Sequence, residues 1–542
     1  MDTLVSKAGK ILDGSWREER FDVLTQPRAG AGKCSRRHPL RPHAGQREAL
    51  ILAGDEYTVT KPNIIYILAD DMGYGDMRCN DPNCAIPTPN LDRLAERGMR
   101  FTDAHAATAL CTPSRYGVLT GCYAWRSRLK RGIVWEWDGA LIEPDRLTVP
   151  EMLRQHGYRT ACLGKWHLGW DWPTLDGRHP NETLTFGGML HAERERFAAN
   201  IDYDGRIGGG PTDRGFDSYF GVDVPNFPPY TWFEDDHLTQ VPTEPKPDHL
   251  YGNPGLAVPG WSLEAMIPEF TRRAVEMIES TASDPKQRPL FLYFPLTSPH
   301  SPIVPNEQFK GASGIGNYGD FVCEVDWVVG QVIDALDRTG QADNTLLVFT
   351  SDNGPEDRTG DDEGVYARAQ RTGHYSMGPL RGIKRDAWEG GHREPFVAAW
   401  PEVIPHGARC DQLVCLTDLM ATCAEIVGSD LPEHAGEDSV SMLPLLRGRT
   451  GEPTRHALAY HSGSGKFAVR EGDWVFIDAA AGNDSPEPEW LRQARGCVPH
   501  DEPKELFHLV DDLAERRNLY ADRPEVAERL SARLEEIKQR GG

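Results

Sequence analysis

Between Pro62 and Asp76 the chain reads PNIIYILADDMGYGD. Ile64 to Leu68 is a short apolar run rich in β-branched residues, as a strand buried on both faces requires, and it ends in two aspartates and a glycine-rich loop. The same scheme returns three times. A strand near Tyr158 to Leu163 empties into Lys165 and His167 in YRTACLGKWHLG, RPLFLYFPLTSPHSP runs to His300, and NTLLVFTSDNG runs to Asp352 and Asn353. Helical patterns lie between them. In TPNLDRLAERG, Thr88 is placed as N-cap, Pro89 falls in the first turn, Leu91, Leu94 and Ala95 share a face, and Gly98 stops the helix. LTVPEMLRQHG ends likewise at Gly157, and in YGDFVCEVDWVVGQVIDALDRTG the residues Val322, Val325, Val329, Val332, Ile333 and Leu336 recur at helical spacing. Alternating strands and helices predict an α/β fold: a large, mostly parallel sheet sandwiched between helices. In such a sheet the ligand crevice lies beyond the carboxyl ends of the strands, where all four polar loops would converge.

Outside this rhythm, the segment 170–261 is rich in Gly, Pro, Trp and Asp without a clear period, and is expected to form long loops on the rim of the crevice. After about residue 440 the texture changes: KFAVREGDWVFID resembles a hairpin and RPEVAERLSARLEEIKQR an amphipathic last helix. The expected organisation is an N-terminal extension over 1–61, poorly ordered, a catalytic α/β domain over 62–440, and a small α+β domain over 441–542 with an antiparallel sheet and a terminal helix. The N-terminus has no uninterrupted apolar stretch of the kind an export signal needs, and no run in the chain is long and apolar enough to suggest a membrane span. The 542 residues carry a formal net charge of -23, which argues against wrapping nucleic acid and means that an anionic substrate would need a local positive pocket. Eleven cysteines in a chain of this length are too sparse for a disulfide scaffold and show no zinc spacing; Cys410, Cys415 and Cys423 are expected as small core residues.

Asp70, Asp71, Asp352 and Asn353 are hard oxygen donors on two loops that the sheet brings together, a set that suits Ca²⁺ or Mg²⁺. Either motif alone reads more readily as an ordinary strand-end turn; the two together, each after a buried strand, reverse that preference in favour of a metal. Arg115, Lys165, His167, His300 and Lys384 gather on neighbouring loops and would supply the anion clamp that the acidic body lacks. Cys111, in LCTPSRYGVLTG, has three readings: a buried structural thiol, a thiolate nucleophile, or a modification site. Its spacing to Arg115 is C-x3-R, not the C-x5-R of cysteine-dependent phosphatases.

CTPSRYGVLTG resembles, over its full length, the signal of type I sulfatases, in which a maturation enzyme oxidises the cysteine to Cα-formylglycine (3-oxoalanine). The resemblance runs from about Pro62 to the C-terminus, through GKWHLG, SPHSP, SDNG, GIKRDAWEGGHREP and ELFHLVDDLAERRNLY. It implies an alkaline-phosphatase-like fold and a calcium-dependent arylsulfatase-type activity. By resemblance, Asp70, Asp71, Asp352, Asn353 and the modified Cys111 would hold one Ca²⁺. Arg115 and Lys165 would hold the hydrated aldehyde, Lys165, His300 and Lys384 would contact sulfate, and His167 would face the second hydroxyl. The chemistry coheres, because a geminal diol can attack sulfur with one hydroxyl and expel sulfate with the other, which cysteine cannot do. Carbohydrate sulfate is the preferred substrate class, with Trp170, Trp172, Tyr230, Trp232 and Trp261 as sugar-stacking faces and Asp171, Asp223, Glu234 and Asp235 as hydroxyl partners. The alternatives are a phosphonate or phosphodiester hydrolase of the same superfamily and an unmodified glycan-binding pseudoenzyme. Relatives of this type are commonly periplasmic or secreted, although this N-terminus offers no export signal. The implied partners are a sulfated glycan or small sulfate ester and the maturation enzyme, with no nucleic acid and no membrane.

Overall fold

Residues 61–188, 191–359, 363–449 and 451–540 are described by the computed structural model, and all belong to one unit, Val59–Gly542. The extension expected over 1–61 thus lies, but for Lys61, outside the described residues. Ten strands make the main sheet: β1 (Asn63–Ala69), β2 (Met99–Phe101), β3 (Arg159–Lys165), β4 (Ser218–Val222), β5 (Phe233–Glu234), β6 (His237–Leu238), β7 (Leu290–Pro295), β8 (Thr345–Ser351), β9 (Phe396–Ala399) and β10 (Ala408–Cys410). Their order is β10-β2-β9-β8-β1-β7-β3-β4-β5-β6. The middle five, β8, β1, β7, β3 and β4, are parallel. The edges turn antiparallel, through β9 and β2 on one side and β5 and β6 on the other.

Because strand side chains alternate, each central strand feeds two cores. Ile64, Tyr66 and Leu68 of β1 join Phe291, Tyr293, Leu346 and Val348 in one, and Ile65 and Ile67 join Leu292, Phe294, Leu347 and Phe349 in the other. Seven helices matter for the site and its supports: α1 (Pro89–Arg97), α2 (Cys111–Thr120), α3 (Val149–Gln155), α4 (Met266–Ala282), α5 (Asn317–Thr339), α6 (Leu419–Val427) and α7 (Pro524–Gln539). The first core is closed by α2, α3 and α6, the second by α1, α4 and α5. Cys410 and Cys423 pack in the first core and Cys415 in a third, as small buried residues.

Four strands, β11 (Ala457–His461), β12 (Phe467–Glu471), β13 (Trp474–Ile477) and β14 (Glu505–His508), form a small antiparallel sheet. Leu530, Leu534 and Ile537 of α7 pack with Val469, Val475 and Phe476 in that third core.

Three local expectations need correction. The segment 170–261 is not only loops, since it supplies β4, a parallel strand inside the main sheet, and the hairpin β5–β6. SYFGV is only five residues long and is flanked by loops, so its period is too short to read. The strand after Gly157 starts and ends later than expected, because it carries Gly164 and Lys165 inside the ladder with β4. Thr88 occupies the N-cap of α1, but its hydroxyl accepts from the Arg78 amide instead of capping. The first amides of α1 are met by Asp326 of α5, whose Oδ1 accepts from Asn90 N at 2.9 Å and Leu91 N at 2.8 Å.

Candidate active site

At the end of β1 the Asp71 backbone enters the left-handed region (φ 66), so the chain turns sharply and both aspartates stay buried above the sheet. Neighbouring β8 delivers Asp352 and Asn353, and the Asp71 amide donates to Asp352 Oδ1 at 3.2 Å. β3 delivers Lys165 from the other side of β7. Its Nζ lies 2.6 Å from Asp70 Oδ2. The strand can approach so closely because Gly164 has φ 123 and a Cβ there would meet the Pro295 carbonyl oxygen at 1.9 Å. The loop after β7 supplies His300, and the Ser298 carbonyl accepts from the Asp70 amide at 3.0 Å.

Cys111 opens α2, and the Pro113 and Arg115 that follow lie in the same buried first turns. Its Sγ is 3.9 Å from Asp71 Oδ1. Arg115 donates to Asp352 Oδ2 from Nε at 3.0 Å and Nη2 at 2.7 Å, and to the Lys165 carbonyl at 3.2 Å. Lys384 Nζ lies 2.7 Å from Asp71 Oδ1, and Asn353 Nδ2 donates to the same oxygen at 2.7 Å. His300 Nε2 is 3.7 Å from Asp71 Oδ2. One buried constellation thus contains Asp70, Asp71, Cys111, Arg115, Lys165, His300, Asp352, Asn353 and Lys384.

His167 joins it through β3 and adopts φ 54. Its backbone amide donates to Asp223 Oδ1 and its Nε2 faces the Val134 carbonyl at 3.1 Å. A carbonyl only accepts, so Nε2 carries the proton and Nδ1 presents a lone pair, which is buried and has no hydrogen-bond partner among the described residues.

Burial raises the carboxyls of this site and the cations oppose it. For Asp70 the cations win: Lys165, then His300, Arg115 and Lys384, hold it well below the usual range. Asp71 is raised by burial, which Lys384 does not fully offset, and Asp352 is pushed up to about 7 by burial and by Asp70. Burial pushes the Cys111 thiol up despite Lys165 and Lys384. His300 is lowered to about 3 by burial, with Lys384 and Lys165 adding to the effect, and His167 is held well below its usual value by burial, Lys165 and Arg115.

The rim residues fare differently. Trp170 and Trp172 are 1% and 4% exposed and pack against Phe233 in the core, so neither can offer a face to a sugar. One face of Trp232 is covered by Phe220, with ring centroids 5.1 Å apart, while Phe270 of α4 and Trp261 make edge-to-face contacts with it. Tyr230 is buried, with its hydroxyl donating to the Asn253 carbonyl at 2.7 Å. Asp171 accepts from the Ala140 amide and Asp223 holds the His167 backbone, while Glu234 and Asp235 belong to the β5–β6 hairpin. Long apolar rings in a stretch without period are consumed by packing that composition does not reveal. Two supporting residues carry no signal in the sequence beyond their neighbours: Glu356, which binds Arg385 and lies 3.8 Å from Lys384, and Asp386, which ties down the Lys384 loop.

The sulfatase family model matches residues 62–429. The chain is 31% identical over 506 residues to N-acetylgalactosamine-6-O-sulfatase of Bacteroides thetaiotaomicron, with 89% of this chain and 94% of that protein aligned. It is 32% identical over 515 residues to arylsulfatase A of Bos taurus, covering 90% and 89%. A solved Bacteroides thetaiotaomicron structure, from work on metabolism of multiple glycosaminoglycans, matches with a TM-score of 0.72 at 30% identity, over 89% of this chain and 100% of the other. The chain belongs to the sulfatase family, within the alkaline phosphatase-like superfamily. Its reaction class is sulfuric ester hydrolysis.

Proposed function

We propose that the chain hydrolyses sulfate esters of carbohydrates, through a Cα-formylglycine made from Cys111 and one calcium ion held by Asp70, Asp71, Asp352, Asn353 and the modified residue. The observation that carries it is the convergence, around one buried cysteine, of the two aspartates that follow β1, the Asp352–Asn353 pair that follows β8 and the cations Lys165, Lys384 and Arg115. The donor set fits calcium: it is all oxygen, and Asp70 Oδ1 and Asn353 Oδ1 are buried without a hydrogen-bond partner among the described residues. The name of the Bacteroides N-acetylgalactosamine-6-O-sulfatase supports a sugar sulfate as substrate.

When bound, calcium supplies charge that offsets the sulfate and favours loss of a proton from a neighbouring hydroxyl, and the aldehyde hydrate supplies the two hydroxyls of the cycle. The chain's own groups do the rest. Lys165 and Lys384 hold sulfate oxygens as charge builds on them, and Arg115 orients residue 111 while pairing with Asp352. The lone pair of His167 Nδ1 accepts a proton from the second hydroxyl. His300 is neutral beside two lysines; an arriving sulfate offsets them and lets its ring, which is in part open to solvent, take a proton from water and pass it to the oxygen of the leaving alcohol. With its pKa raised, the unmodified thiol would be a poor nucleophile at neutral pH, which supports the need for modification.

The test combines peptide mass with turnover. After co-expression with a formylglycine-generating enzyme, the Cys111 peptide is expected to carry an aldehyde in place of the thiol. The protein is expected to desulfate members of a panel of defined sulfated mono- and disaccharides faster than it cleaves an aryl phosphodiester. Cys111→Ala and Cys111→Ser are expected to fold and to lose turnover, the serine form retaining at most a single sulfation event. Multiple turnover by either variant, or full activity with an intact thiol, would sink the proposal.

A further inference from the structure

Below the catalytic loops, a second group of potential metal ligands is fully buried: His105, Glu389 and His392, whose donor atoms lie within 4.8 Å of one another. Backbone pairing fixes their meeting. His105 bridges antiparallel to Arg393, and the Ala106 amide donates to the His392 carbonyl at 2.8 Å, so the two imidazoles face each other from adjacent strands of chain. Their Nδ1 atoms are 3.1 Å apart.

The outer nitrogens settle the tautomers. His392 Nε2 faces the Ala387 carbonyl at 3.3 Å and His105 Nε2 faces Asp103 Oδ1 at 2.9 Å. A carbonyl accepts only, and Asp103 is held ionised by Arg393 and Arg470 against the effect of burial, so both Nε2 atoms are donors. In the neutral rings the two Nδ1 lone pairs then point at each other, and only an extra proton or a cation between them relieves the repulsion. An extra proton would be shared between the two Nδ1 atoms, with Asp103 as the carboxylate at His105 Nε2. A metal gains the third donor as well: Glu389 Oε1 is buried and has no hydrogen-bond partner among the described residues, while Oε2 is held by Arg393 at 2.8 Å. Two nitrogens each about 2.0–2.1 Å from a tetrahedral ion lie about 3.4 Å apart, close to the spacing here.

We propose that His105, His392 and Glu389 bind a divalent d-block cation of the zinc type, separate from the oxygen-ligated site at Cys111. Two imidazoles with one carboxylate suit zinc and not calcium, and the Asp103 and Ala387 contacts are the outer hydrogen bonds that hold ligating histidines in place. Three protein donors leave the fourth position to a water. Asp103 and Glu389 already pair with Arg393 and Arg470, and Glu515 Oε2 accepts from the Glu389 amide at 2.8 Å. The role is structural. The ion joins the segment that leads into Cys111 to the 387–393 loop, whose Gly391 carbonyl accepts from the Gly354 amide beside Asn353 at 3.0 Å.

Elemental analysis of the full-length protein, expressed with zinc and dialysed into calcium buffer, tests this. About one zinc per chain is expected in the wild type, in addition to calcium, and none in His392→Gln or Glu389→Gln, both keeping calcium. Cobalt loaded in place of zinc is expected to give d–d absorption in the wild type only. Because the variants could fold poorly, wild-type protein stripped with chelator and resupplied with calcium is also melted with and without zinc, and a rise of several degrees with zinc is expected. Zinc and cobalt contents no higher than in His392→Gln, or a melting temperature unmoved by zinc, would overturn the proposal and leave a hydrogen-bonded imidazole–imidazolium pair. Neither readout depends on whether Cys111 is modified or on which ester is cleaved.

Discussion

Lys384 touches both oxygens of Asp71, at 2.7 and 2.8 Å, inside a site where neither partner meets solvent. Removing one member of such a pair leaves a buried charge uncompensated, a change that costs about 3–5 kcal/mol. Lys384→Ala is therefore expected to melt well below the wild type in chelator. Calcium at the neighbouring oxygens would take over the compensation, so the deficit is expected to shrink when calcium is present. Equal deficits in both buffers would mean that Asp71 is not among the calcium ligands. At this scale the sequence was informative where a residue type has few alternative uses. The pairs Asp70–Asp71 and Asp352–Asn353 and the basic residues of the CTPSR, GKWHLG, SPHSP and GIKR segments do meet in one place. Trp170 and Trp172 could not be read in this way, because an aromatic ring serves packing and sugar stacking equally well and only burial decides between them.

At the scale of elements, the strand and helix periods were strong enough to predict β1, β7, β8, α1 and α5, but not how one element finishes another. Asp326 belongs to α5 by its period and to α1 by its work, since its carboxylate accepts from two α1 amides. Two residues earlier on α5, Glu324 accepts from the Asn306 amide through Oε2, and burial pushes its carboxyl up to about 7. The folded state therefore binds this proton more tightly than the unfolded state, where the value is 4.5. It follows that stability is lost as pH rises from about 4.5 to about 7, by about 3 kcal/mol in all, and changes no further through this group above that. Glu324→Gln keeps the acceptor, never ionises, and is expected to flatten that window in urea titrations at stepped pH. An unchanged pH profile in the variant would show that Glu324 does not titrate there.

Across the whole molecule, the small antiparallel sheet is tied to the catalytic loops by its connections. Asp386 accepts from Ile383 N within the Lys384 loop at 3.0 Å, and from the amides of Asp484 and Ser485, beyond β13, at 2.7 and 2.9 Å. Ser485 Oγ then donates to the Lys384 carbonyl at 3.2 Å, and the Gly463 amide, between β11 and β12, donates to the Arg385 carbonyl at 2.9 Å. Nothing in composition or period marks Asp386 as a latch, because two of its three partners lie about a hundred residues away and all are backbone amides. Asp386→Ala would strand the buried amides of Ile383 and Ser485, each costing about 1–3 kcal/mol, together with the half-buried Asp484 amide, and release the loop that positions Lys384. Turnover is expected to fall with the melting temperature. Asp386→Asn offers one carbonyl oxygen that can still accept from the Asp484 and Ser485 amides but nothing for Ile383 N, so it is expected to recover most of the stability and part of the turnover. If Asp386→Ala instead melts early yet turns over sulfate ester at the wild-type rate below its transition, the C-terminal sheet stabilises the chain without positioning Lys384.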